Sequence, residues 1–192
     1  MGSTYLTDPL IFLIDTVFSL YILAVLLRFL LQWSGADFYN PISRLLVKVT
    51  HPPLRLMRRF VPSIGRIDTS SLILMLSLQM LADLSIRLLL NGEMINIGAL
   101  ALTSIAQLVS MLFNVWVFAI FARAILSWFN PGSFYATTSI LTTLSEPLLN
   151  VIRRMIPDLG GIDLSPLVAL MFLQMANMLV LPPLYELAAM LG

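Results

Sequence analysis

Residues 51–72 read HPPLRLMRRFVPSIGRIDTSSL, and residues 146–167 read EPLLNVIRRMIPDLGGIDLSPL. A shift of 95 residues carries Pro52 to Pro147, Leu54 to Leu149, Arg58-Arg59 to Arg153-Arg154 and Pro62 to Pro157. It also carries Gly65 to Gly160, Ile67-Asp68 to Ile162-Asp163 and Ser70 to Ser165. Upstream the same shift takes Arg28 to Arg123 and Trp33 to Trp128; downstream it takes Leu72 to Leu167 and Gln79 to Gln174, with no gap. In so apolar a chain Leu meets Leu by chance, but Arg, Trp, Pro, Gly and Asp do not. The chain is a tandem repeat, and its fold follows from what flanks each copy.

Apolar runs flank each copy: Leu10 to Leu31 and Leu72 to Leu90 around the first, Thr103 to Leu126 and Pro166 to Leu187 around the second. Each is close to the ~20 residues that cross a hydrocarbon layer. Long mixed segments, about 40–70 and 130–165, separate the runs within each copy, and Asn91 to Ala99 joins the two copies. The expected fold is an all-α membrane protein with four transmembrane helices from two parallel tandem repeats, residues 1–95 and 96–192. Each repeat carries a Pro-broken amphipathic segment in its loop. Composition agrees. Of the 192 residues 59% are hydrophobic and only 11% charged, against roughly 45–50% and about 25% in soluble domains, and the mean hydropathy is +0.94.

The first apolar run lacks a basic n-region and is too long for a signal h-region, so it is expected to be retained as a span. Because each unit holds two spans, both units enter the membrane from the same side, which argues against an inverted-repeat transporter. Arg28, Arg44, Lys48, Arg55, Arg58, Arg59, Arg66, Arg123, Arg153 and Arg154 all fall in or beside the long loops, and only Arg87 lies towards the other face. The positive-inside rule places those loops in the cytoplasm and both termini outside.

Within the first loop Ile42, Leu45, Leu46 and Val49 mark an apolar helix stripe. His51-Pro52-Pro53 is predicted to interrupt it, and Leu54, Met57 and Val61 mark a second piece. The other loop repeats the scheme, with Ile140, Leu141 and Leu144, a break at Glu146-Pro147, then Leu148, Val151, Ile152 and Met155. Apolar on one side and basic on the other, these pieces are expected to lie among anionic headgroups. A re-entrant hairpin buried against the spans is the competing geometry. Pro157 to Gly161 has tight-turn composition, and Asp68 with Ser70 and Asp163 with Ser165 stand where they cap the following spans.

The chain has no cysteine, which excludes disulfides, thiolate metal sites, iron–sulfur clusters, catalytic thiols and covalent haem attachment. Its one histidine, His51, cannot build a multi-His centre, and no phosphate-cradling Gly loop of the P-loop or Rossmann type is present. A net charge of +1 exerts no overall pull on nucleic acid. The expectation is a non-enzymatic protein with no catalytic, metal or cofactor site.

The remaining candidates are structural, lipid or partner contacts. Arg28 and Arg123 precede Trp33 and Trp128 by five residues, a spacing suited to interface anchors. The alternative pairs Arg28 with Asp68 and Arg123 with Asp163, so that each loop is pinned to its spans. Arg58-Arg59 and Arg153-Arg154 read as topology signals and lipid contacts, or as a docking surface for a cytoplasmic partner. Gln79 and Gln174 lie inside spans, where amides form interhelical hydrogen bonds or line a solute path. Asp83 and Arg87 are spaced for mutual neutralisation on one helix, and their shifted counterparts are Met178 and Pro182. Asp15 lies near the outer interface.

Taken together these motifs resemble the YggT family of small bacterial membrane proteins. The residues that carry the resemblance are Arg123-Ala-Ile-Leu-Ser-Trp128, Arg153-Arg154-Met-Ile-Pro157 and Gly160-Gly161-Ile-Asp163-Leu-Ser165, with Arg28 to Trp33, Arg58 to Pro62 and Gly65 to Ser70 in the first unit. The first unit departs at His51, Arg66 and Ser71, where the second has Glu146, Gly161 and Pro166. The resemblance spans about Leu10 to Leu187 and implies the two-unit proteobacterial form. It also implies an association with osmotic-stress tolerance, cell-division neighbourhoods or, in plastid relatives, cytochrome assembly, and no enzymatic activity. Two roles follow as expectations. The leading one is a membrane scaffold or assembly factor holding anionic lipid and a membrane or cytoplasmic protein partner. The alternative is a small-ion or solute channel or transporter subunit acting as a homo-oligomer.

Overall fold

The computed structural model describes residues 4–36, 39–64, 67–90, 96–127, 135–155 and 163–192. Trp128, Gly65, Arg66, the Pro157 to Gly161 turn, Ile162 and most of the junction between the units lie outside the described residues. Those described form six helices: α1 Thr4–Trp33, α2 Pro41–Met57, α3 Thr69–Leu90, α4 Ile97–Leu126, α5 Tyr135–Arg153 and α6 Ser165–Leu191. Four of them, α1, α3, α4 and α6, are long and apolar enough to cross a membrane. The protein is a multi-pass membrane protein built from two units, each a pair of spans with an amphipathic helix between them.

Local chemistry sets the helix ends. α1 runs to Trp33 and stops where Gly35 adopts φ +70. There Gly35 N–H bonds Gln32 O, and Ala36 N–H reaches back to Leu31 O at 2.8 Å. This termination needs a residue that tolerates the left-handed region. α2 opens with Asn40 accepting from Ile42 N–H at 2.9 Å and Pro41 in its first turn, both favourable at a helix start. α4 opens likewise, with Asn96 accepting from Gly98 N–H at 2.8 Å.

The expected proline breaks are absent: α2 continues through Pro52-Pro53 and α5 through Pro147. A proline inside a helix leaves the carbonyl four residues earlier without its N–H partner. In α2 the orphan opposite Pro53 is Val49 O, and Tyr21 of α1 supplies the missing donor through its hydroxyl at 3.3 Å. A tertiary contact thus offsets what the local sequence removes.

At about 100° per residue, α2 divides into three sectors. Ser43, Leu46, Thr50, Leu54 and Met57 turn inward, and Ser43, Thr50 and Leu54 are buried. Ile42, Leu45, Val49 and Leu56 are exposed apolar residues, and Arg44, Lys48 and Arg55 form an exposed cationic strip. α5 is seated more deeply, with Ile140, Leu141, Leu144, Leu149 and Ile152 buried, and it carries no comparable strip.

The most extensive helix pairings are α4 with α6 and α1 with α3, each within one unit. α2 packs on α1 and α3, while α5 packs on α4 and α6. One core joins Ile22, Val25, Leu30 and Leu54 of the first unit to Val115, Ala119, Leu141 and Leu144 of the second. A smaller one gathers Ile120, Leu149, Ala169 and Leu173. The units therefore share a hydrophobic interior.

Candidate functional site

Two polar elbows, one per unit, tie each amphipathic helix to its spans. In the first, Arg28 of α1 is buried and its Nη1 donates to Thr50 Oγ1 of α2 at 2.9 Å. The Thr50 hydroxyl gives its own proton to Leu46 O at 2.6 Å, which leaves its lone pairs free for the guanidinium. In the second, Arg123 Nη1 donates to Ser145 Oγ at 2.9 Å while Ser145 donates to Leu141 O at 2.7 Å. Thr50 and Ser145 are 95 residues apart. The repeat pairs them hydroxyl for hydroxyl, a signal that identity matching alone passes over.

The pairing of Arg28 with Asp68 and of Arg123 with Asp163 gives way to a different one. Asp68 is ion-paired with Arg58, and Asp163 with Arg153 at 2.9 Å. The reason is local. Ile64 and Ile67 exchange backbone hydrogen bonds at 3.1 Å, folding the end of α2 back on the start of α3. Thr69 Oγ1 donates to Pro62 O at 2.6 Å and Ser70 Oγ to Val61 O at 2.8 Å. This reversal delivers Arg58 to Asp68, whereas Arg28 is already engaged by Thr50.

The elbows differ at their acids. Asp68 is 1% exposed and accepts from Ser71 Oγ at 3.0 Å. Burial alone would raise its carboxyl, but the hydrogen bonds from Arg58 and Ser71 and the charge of Arg58 outweigh burial and hold it below the usual carboxylate range. In the second unit Pro166 replaces Ser71 and cannot donate, and the Asp163 side chain is 47% exposed. Its carboxyl is also lowered, chiefly by the Ser165 side chain against partial burial, then by the Ser165 N–H that it accepts at 2.9 Å at the helix start, with Arg153 adding to the effect. The Arg153 guanidinium is held more firmly protonated, first by its bond to Asp163.

Glu146 marks the largest difference. Its carboxylate joins Arg123 at 2.5 Å to Arg153 at 3.2 Å, so the second elbow is internally neutralised. The first unit has His51 at that position, and His51 is exposed on α2. Arg59 and Arg154 are exposed and take part in no ion pair among the described residues. Trp33 is partly exposed at the end of α1.

Deeper in the bundle the two glutamines part company. Gln79 is buried, and its Nε2 donates to Asp83 Oδ1 at 3.2 Å. Ser104 Oγ of α4 donates to Asp83 Oδ2 at 2.8 Å. Gln107 closes the cluster, one end of its amide lying 2.5 Å from Gln79 Nε2 and 3.0 Å from both Asp83 oxygens. The Asp83–Arg87 ion pair expected from spacing is not formed: the carboxylate is satisfied across the α3–α4 interface instead. Arg87, Asp15 and Ser19 line the adjoining cavity of about 440 Å³. Gln174 is exposed on α6. Sequence reading missed Ser104 and Gln107, polar residues in the α4 span without a counterpart in the repeat motif.

The CCB3/YggT family model matches the chain twice, over residues 7–89 and 102–184. Both ends of the second match are displaced from the first by the 95 residues that separate the two elbows. The chain belongs to the CCB3/YggT family. It is 40% identical to an uncharacterized protein of Pseudomonas aeruginosa over 97% of this chain and 94% of that one. It is 36% identical to the uncharacterized protein YggT of Escherichia coli K12 over 89% of this chain and 88% of that one. A chloroplastic YlmG homolog protein 2 of Arabidopsis thaliana is 42% identical over 31% of this chain and 24% of its own length. No solved structure matches. In this YggT-family chain the repeated Arg and Asp positions of both units form the elbows just described.

Proposed function

We propose that this protein is a non-enzymatic scaffold or assembly factor of the bacterial inner membrane. In this reading the long loops face the cytoplasm, both termini face the periplasm, and the cationic faces beside the elbows hold anionic headgroups and a partner protein. The observation that carries the reading is α2. It is anchored to α1 through Arg28 and Thr50, and it offers an exposed apolar sector beside the exposed strip Arg44, Lys48 and Arg55. A helix with those faces suits the boundary between acyl chains and headgroups. Osmotic-stress tolerance or cell division is the physiological setting we favour, from the family resemblance.

The test is crosslinked pull-down from native membranes together with flotation on vesicles with and without phosphatidylglycerol. The triple variant Arg55→Glu, Arg59→Glu, Arg154→Glu removes exposed cations that hold no ion pair among the described residues. It should lose both partner capture and preference for anionic vesicles while keeping its melting behaviour. Unchanged association in both assays would end this reading.

A second reading, a channel or transporter subunit, is favoured by one observation, the cavity lined by Asp15, Gln79, Asp83, Arg87 and Gln107. Polar and ionisable groups at such depth mark pathways in many membrane proteins. Because Gln174 is exposed on α6, the path in this reading is completed by a second copy. Ion flux in liposomes that Gln79→Leu abolishes would put this reading first.

A further inference from the structure

We propose that the first unit, and not the second, contains a binding site for one phosphate group. The proposal deepens the membrane-contact reading above and rests on it. Between α1 and α2 lies a cavity of about 500 Å³ lined by Arg28, Gln32, Arg44, Val47, Lys48 and Arg58. Four of the six are cations and a fifth carries an amide. Arg28 is only 6% exposed, and its Nε has no partner among the described residues. A buried guanidinium donor without an acceptor is costly unless a ligand supplies one.

Asp68 engages Arg58, so one charge of the cavity is compensated. Among the described residues the Arg28 side chain donates to the neutral Thr50 hydroxyl and forms no ion pair of its own, Arg44 lies over the Tyr39 ring at 5.7 Å, and Lys48 is exposed. Guanidinium forks and an ammonium converging on one cavity match the oxygens of a phosphate.

The second unit supplies the control within the same molecule. The repeat replaces Gln32 with Ser127, Arg44 with Ser139, Val47 with Thr142 and Lys48 with Thr143. Glu146 then occupies the two cations that remain, Arg123 and Arg153. From Arg28 to Ser70 the chain carries seven Lys or Arg against two Asp; from Arg123 to Ser165 it carries three Arg against three acids. One copy is open to an anion, and the other carries its own.

The phosphate has two sources, a phospholipid headgroup or phosphate in solution. The experiment uses the full chain in an uncharged maltoside detergent. Phosphatidylglycerol is titrated with native mass spectrometry as the readout, and inorganic phosphate is titrated separately by calorimetry. One equivalent bound in either arm supports the site, and the arm that binds identifies the source. Arg44→Gln with Lys48→Gln should weaken binding by about tenfold or more, since two of the cations that line the cavity lose their charge. His51→Glu, which places the carboxylate of the second unit into the first, should do the same with melting unchanged. Arg55→Gln with Arg59→Gln removes equal charge outside the cavity; it should weaken vesicle flotation, as the membrane-contact reading requires, while leaving one-equivalent binding in detergent within about twofold.

Equal loss from the two double variants would overturn the site while leaving diffuse attraction to anionic membranes standing. No binding in either arm would overturn it too, and if vesicle flotation also lost its anionic preference, the membrane-contact reading would fall with it. Should His51→Glu fail to fold, the two Gln pairs decide the matter alone.

Discussion

Arg28 Nη1 and Thr50 Oγ1 lie 2.9 Å apart in a buried contact that fastens the first amphipathic helix to the first span. The equivalent contact between Arg123 and Ser145 is partly exposed and shared with Glu146. The same motif therefore carries different loads in the two units.

Thr50→Val should destabilise the protein by about 1–3 kcal/mol, the cost of leaving a buried charged donor unpaired. Ser145→Ala should cost less, because Arg123 keeps Glu146. Thermal unfolding in detergent measures both, and Thr50→Ser should restore wild-type stability.

Asp68→Asn should lower stability by on the order of 2 kcal/mol, the scale of a hydrogen bond to a charged group. The exposed counterpart, Asp163→Asn, should cost under about 1 kcal/mol. If chemical denaturation ranked the two in the opposite order, burial of Asp68 would not be what makes its ion pair matter.

Both aspartates have folded pKa values below their ordinary one. Such a group binds protons more tightly when unfolded, so its stabilisation is complete above the unfolded value of about 3.9 and drains away as pH falls through the folded pKa. Melting temperature plotted against pH should therefore fall on the acid side of that window, and Asp68→Asn should flatten the fall.

Asp83→Leu should destabilise the bundle by about 1–3 kcal/mol, because Ser104 and Gln79 lose a buried acceptor. Gln174→Leu, at the repeat equivalent of Gln79, should leave monomer stability nearly unchanged because Gln174 is exposed. Unfolding of the two variants side by side tests whether the polar cluster belongs to one unit alone.

The candidate contacts were legible in unequal measure. Arg28, Arg58, Asp68 and their copies stood out because charge is rare in so apolar a chain. The bonds among them did not, since partner choice depends on the chain reversal that Ile64 and Ile67 close. Thr50 and Ser145 were hidden by being common residue types. The continuity of α2 was hidden because Pro53 argues for a break, and the donor that offsets it comes from Tyr21, 28 residues before Val49.

By itself the sequence determined four apolar spans, the 95-residue repeat and the cationic character of the first loop. These depend on composition and period, which survive without knowledge of distant contacts. Tertiary structure alone decided which arginine meets which aspartate, that Asp83 is satisfied by Ser104 rather than Arg87, and that Gln79 is buried while Gln174 is not. Those outcomes depend on angular position around packed helices and on side chains that meet across helix interfaces, and neither has a fixed spacing along the chain.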